Sequence, residues 1–97
     1  MKIRTFLPAT LIALMAAAPA FANCFADYKA KRENPLRLHY GVIELNGDAC
    51  NSKKKAAKVI EKRIGKDGWA LLNVMSIFDD AGLEERKESA GKFFLRY

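Results

Sequence analysis

The run Gly68-Trp69-Ala70-Leu71-Leu72-Asn73-Val74-Met75-Ser76-Ile77-Phe78 is the most apolar stretch outside the first residues of the chain, and it has strand length. Read with a period of two, it separates into Trp69, Leu71, Asn73, Met75, Ile77 and Ala70, Leu72, Val74, Ser76, Phe78. Both sets are largely apolar, which predicts a central strand covered on both faces. The neighbouring segments read as its cover.

Upstream, Asn51 or Ser52 is a good N-cap for a helix in which Ala56, Val59, Ile60 and Ile64 form one apolar stripe. Lys54, Lys58 and Lys62 lie along the opposite side, Gly65 is expected to end the helix as a left-handed cap, and Asp67-Gly68 to turn the chain. Further back, residues 36–45 read as a strand. Leu36, Leu38, Tyr40 and Val42 alternate with Arg37, His39 and Gly41, which places the first set on a buried face. The alternation slips at Ile43 and Leu45, and Gly41 is the natural place for a bulge. Asn46-Gly47-Asp48 follows as a turn.

Downstream, residues 79–90 are highly charged and suit a short helix or an exposed excursion anchored only by Leu83 and Ala90. Residues 92–97 read as a last strand, with Phe93, Leu95 and Tyr97 on one face and Phe94 on the other. Residues 24–33, with Phe25 and Tyr28 three apart, suit a short helix or an ordered arm that Asn34-Pro35 ends. The expected class is therefore α+β: a small three-stranded sheet in the order β-α-β-β, one main helix on one face, and an N-terminal arm or short helix. A right-handed crossover makes the first two strands parallel, with the third antiparallel between them. One helix covers one face, so the other is left to the arm or to a second subunit.

The first 22 residues read differently. Lys2 and Arg4 precede an apolar stretch at 6–18, and Ala20-Phe21-Ala22 carries small residues where a signal peptidase reads. This pattern predicts cleavage between Ala22 and Asn23 and a periplasmic or secreted product comprising one domain, residues 23–97. The alternative is an uncleaved anchor, although residues 5–22 only reach the short limit of a membrane span. In an oxidising compartment Cys24 and Cys50 are expected to pair. Closing that loop would constrain the unfolded chain by about 3.5 kcal/mol in the entropy model, a useful staple for a domain this small.

The helix ending in Gly65, the Asp67-Gly68-Trp69-Ala70-Leu71 entry into a strand, and the terminal Phe93-Phe94-Leu95-Arg96 together resemble a family of small uncharacterised bacterial βαββ domains with a Gly-Trp-Glu-Leu signature. Gly68, Trp69 and Leu71 match, and Ala70 stands where that family has Glu. The likeness covers about half of residues 23–97 and implies a fold and a structural tryptophan, with no activity attached.

No catalytic constellation emerges. His39 is the only histidine and is expected on the exposed side of its strand, and there is no Gly-x-Ser-x-Gly, phosphate loop or dinucleotide fingerprint. One histidine and no Cys-x-x-Cys give no metal set, and the acidic residues of 79–90 do not fit a calcium loop. The expectation is a non-enzymatic binding or interaction protein without cofactor, acting through a protein partner or a homo-oligomer. The formal charge of +6 falls to about +4 without Lys2 and Arg4, a mild preference for acidic partners. The alternative is an anion or envelope-surface binder, for phospholipid or lipopolysaccharide phosphates, through the basic helix 53–66. Lys53, Lys54, Lys55 and Lys58 beside a helix N-terminus would form that site. Nucleic acid is not expected, since no aromatic residues interleave these lysines.

Overall fold

The computed structural model describes residues 23–97; the expected signal peptide lies outside them. Three strands form one antiparallel sheet: β1 (Asn23–Arg32), β2 (Arg37–Asn46) and β3 (Ala70–Phe78), in the order β2-β1-β3. The main helix α1 (Lys53–Gly65) connects β2 to β3, and a second helix α2 (Glu84–Ala90) follows β3. The α+β class, the three-stranded sheet and the main helix on one face are as expected. The element order is ββαβ instead of βαββ. Two outer strands do run parallel with an antiparallel strand between them, but the strand between is the N-terminal segment.

Residues 24–33 become a strand because both of their edges find partners. β1 pairs in unbroken register with β2, from Asn23↔Asn46 to Arg32↔Arg37, and with β3 on its other side. Ala26, Tyr28 and Ala30 point toward α1 and are fully buried. The two alanines let the helix approach while Tyr28 fills the space between. Phe25 therefore faces away from Tyr28, and the three-residue spacing that suggested a helix has no role.

Gly41 is no bulge. It lies opposite Tyr28, and a Cβ there would come within 2.6 Å of the Tyr28 ring. The strand keeps one core face throughout, His39, Gly41, Ile43 and Leu45; the apolar alternation slips because Val42 is buried on the other side, against the tail, while Leu38 on that side is 66% exposed.

β3 is an edge strand, and its double apolar pattern has a simple cause. The register with β1 shifts between Asp27/Tyr28 and between Lys29/Ala30, so Met75 and Leu72 are extra residues at two bulges. The core face therefore takes Leu71, Val74 and Ile77 at spacings of three.

α1 begins as expected: Ser52 Oγ accepts the Lys55 backbone N–H at 3.1 Å, and Ala56, Ile60 and Ile64 are buried. Its end is set by Gly68, not Gly65. With φ at +85°, Gly68 lets its own N–H reach the Gly65 carbonyl and the Trp69 N–H reach the Ile64 carbonyl. This pair of bonds is a Schellman cap, and it drops Trp69 onto Ile64 in the core. The Cys24–Cys50 disulfide, with Cα atoms 5.9 Å apart, ties the start of β1 to the turn before α1.

The C-terminal residues are not a third strand. After α2 a 3₁₀ turn (Gly91–Phe93) leads to a tail that touches the sheet at one parallel bridge, Val42↔Phe94, with the Leu95 N–H donating to the Val42 carbonyl at 2.8 Å. Leu95 has φ of +56°, which breaks the expected alternation. Phe93 and Tyr97 turn inward while Leu95 stays exposed.

Candidate functional site

The tail brings Phe93 and Tyr97 onto the one histidine. His39 is 8% exposed and faces the core, contrary to its expected surface position. Its ring stacks on Phe93 at 3.7 Å between centroids and meets Trp69 edge-on at 4.3 Å. Nε2 lies 3.0 Å from the Tyr28 hydroxyl, and Nδ1 is buried without a partner. The tautomer with its proton on Nε2 donates to Tyr28 and avoids burying an orphan N–H. Burial, followed by the charge of Arg32, pushes the imidazole down to about 4, so it is neutral at physiological pH. Burial also raises the Tyr28 phenol far above its usual range.

A cleft of about 460 Å³ opens beside this aromatic cluster. Arg32 and Arg37 reach it from the hairpin end of the sheet, and Lys92 and Arg96 reach it from the tail. Each ring carries a cation: the Arg32 guanidinium lies 4.3 Å from the Trp69 centroid, Lys92 Nζ 5.6 Å from that of Phe93, and the Arg96 guanidinium 5.7 Å from that of Tyr97. The rings thus hold the cations in place. Arg32 and Arg37 face each other directly across the β1–β2 ladder, where like charges are destabilising.

Among the described residues the one side-chain carboxylate lining the cleft, Asp67, is already engaged. It accepts the Tyr97 hydroxyl at 2.6 Å and has Arg32 Nη2 at 3.9 Å, while Nη2 also donates to the Asp67 backbone carbonyl at 2.6 Å. Burial and this hydrogen bond raise the Tyr97 phenol. Three cations preplaced on rings, with Arg37 beside them and one occupied side-chain carboxylate, can receive an anion, and the planar forks of the arginines suit a carboxylate, sulfate or phosphate.

A second polar cluster is closed instead of open. Asp27, on the sheet face opposite Tyr28, accepts from Tyr40 Oη at 2.8 Å, Ser76 Oγ at 2.7 Å and Arg86 Nε at 3.0 Å. Burial alone would raise its carboxyl. The bonds from Ser76, Tyr40 and Arg86, with the arginine's charge, outweigh burial and hold it below the usual range. Burial and then the hydrogen bond to the Asp27 carboxylate, against the opposing charge of Arg86, push the Tyr40 phenol up to about 12. Arg86 also lies over Phe78, its guanidinium 4.0 Å from the ring centroid, so the cluster fastens α2 to the sheet.

Lys53, Lys54, Lys55 and Lys58 are exposed along the first half of α1, and none lines the cleft. The basic helix does contribute at its other end, where Arg63 and Lys66 share a neighbouring cleft with Arg96 and Tyr97. The cleft cations themselves were missed by sequence reading. The available signal was Lys92-Phe93 and Arg96-Tyr97, two cation–aromatic pairs adjacent in the chain. Among the described residues, no three or more His, Cys, Asp or Glu side chains are gathered to hold a metal ion, and no helix is long and apolar enough to cross a membrane. No protein-family model, no curated protein and no solved structure matches this chain.

Proposed function

We propose that this protein is an exported, non-enzymatic binding protein whose ligand is anionic and sits in the cleft among Arg32, Arg37, Lys92 and Arg96. The observation that carries this reading is the arrangement of those cations, three of them preplaced on aromatic rings and Arg37 opposite Arg32, against a single engaged side-chain carboxylate. Such a cluster opposes its own formation unless an anion offsets it. Work in the periplasm or outside the cell, after removal of residues 1–22, is supported by the Cys24–Cys50 disulfide, a bond typical of oxidising compartments.

Trp69 is the only tryptophan and lies beneath Arg32, so the site carries its own reporter. Titration with inorganic sulfate or pyrophosphate is expected to change Trp69 emission saturably, and Arg32→Gln or Arg37→Gln to weaken binding about tenfold each. Replacing Lys53, Lys54 and Lys55 together with Gln is expected to leave the titration unchanged. Loss of binding in that triple variant, with Arg37→Gln silent, would move the site to the start of α1.

A protein partner is the second reading, favoured by Leu38 and Leu72, 66% and 51% exposed, which line one shallow depression with Lys29 and Tyr40. As self-association it requires a dimer in sedimentation velocity that Leu38→Lys dissociates. A monomer in both would remove it.

A further inference from the structure

The cations of the cleft continue beyond it. The neighbouring cleft of about 450 Å³ adds Arg63 and Lys66 and shares Asp67, Arg96 and Tyr97 with the first. A third, of about 370 Å³, shares Arg63 and Tyr97 and is lined further by Glu44, Asn46 and Leu95. The three run together around Tyr97, and a series of cations passes from Arg37 and Arg32 through Lys92 and Arg96 to Lys66 and Arg63. One small anion would engage two or three of these. Apart from Arg32, which is bonded at Asp67, and Arg63, which donates to the Glu44 backbone carbonyl at 2.7 Å, the rest would remain unanswered.

We infer that the ligand is a linear acidic polysaccharide lying along this track, a conclusion that rests on the anion-binding reading above. The concave course favours a chain over the flat surface of a membrane. Among the cations lie two carboxylates already engaged within the chain, Asp67 by Tyr97 and Glu44 by Asn23, and uncharged groups: the half-buried Tyr97 ring, the exposed Leu38 and Leu95, and Asn46. The uncharged groups match the ring carbons and hydroxyls that separate charges along a glycan; a bare polyphosphate has nothing to place there. Nucleic acid is disfavoured by the state of the rings. Trp69 is covered by Arg32, and Phe93 is stacked on His39 with Lys92 near its ring. Bases that bind by stacking need open aromatic faces, and these rings are already occupied.

The test is a length series of heparin oligosaccharides, from disaccharide to octasaccharide, titrated into the purified protein beside inorganic sulfate, single-stranded DNA of equal charge and anionic phospholipid vesicles. Affinity is expected to rise about 100-fold from disaccharide to octasaccharide as successive cations engage. Removing a cation at either end, with Arg37→Gln or Lys66→Gln, is expected to lower the slope of log affinity against log salt by about one for the octasaccharide. Lys66→Gln is expected to leave sulfate binding unchanged. Equal affinity for disaccharide and octasaccharide, with sulfate still bound, would overturn the chain-like ligand and keep the anion site. Tighter binding of the DNA or the vesicles would overturn the polysaccharide. Absence of binding to every anion would overturn both readings.

Discussion

His39 shows how one residue couples the core to the cleft. Its neighbours are Tyr28 from β1, Trp69 after α1, and Phe93 and Tyr97 from the tail, with the charge of Arg32 acting on it. Protonation would place a cation in this stack beside Arg32. The unfolded histidine takes up a proton near pH 6.5, whereas the folded one resists until about 4. Stability is therefore complete above pH 6.5 and falls as pH drops toward 4, by an amount on the order of 2 kcal/mol allowing for solvent screening. Asp27, whose carboxyl is held below its usual range, adds a further loss only at still lower pH. We expect His39→Phe to flatten the dependence of chemical-denaturation stability between pH 6.5 and 4. An unchanged slope would show that His39 is not the group responsible. The burial of His39 was hidden in the sequence because Leu36, Leu38, Tyr40 and Val42 outcompete its own set in apolar character, and only the Tyr28 ring lying across Gly41 shows which face the helix takes.

Among the elements, α1 was legible: its cap at Ser52 and its stripe of Ala56, Ile60 and Ile64 are local features, read directly from spacing. β3 was legible as a strand but not as an edge, because two bulges place apolar residues in both period-two sets. β1 was not legible. Alanine has low strand propensity, and Asp27 sits in its middle, so its strand character comes from pairing on both edges rather than from its own residues. The tail misled in the other direction, since its alternation of Phe93, Leu95 and Tyr97 is broken by the positive φ of Leu95. For α2 the missing anchor was Arg86, read as one more charge in a charged run. Removing it with Arg86→Gln would leave Asp27 8% exposed at its side chain without its cationic partner. We expect a loss of about 2 kcal/mol in urea denaturation, recovered in part by Asp27→Asn in the same chain. A loss below about 0.5 kcal/mol would mean that α2 is held by Ala90 and its packing instead.

At the scale of the whole molecule, the chain brings the residues of the cleft from three separate places to one end of the sheet. The β1–β2 hairpin brings Arg32 and Arg37, the exit of α1 brings Asp67 and Trp69, and the tail brings Lys92 and Arg96. None of these is close to another group in sequence, whereas the basic run at the start of α1 is contiguous, so the charge pattern of the sequence points to the helix and not to the cleft. The α+β class and the disulfide were readable because they depend on composition and short-range pattern; the cleft depends on where the tail goes. Its cations should oppose folding until an anion arrives. The most direct measurement is therefore thermal unfolding of the wild type and of Arg37→Gln, with and without sulfate, at matched ionic strength. We expect sulfate at about ten times its dissociation constant to stabilise the wild type by about 1.4 kcal/mol, a rise in Tm of several degrees. Arg37→Gln should start at an equal or higher Tm and show little further rise. A lower starting Tm together with an undiminished response to sulfate would contradict the cleft as the anion site.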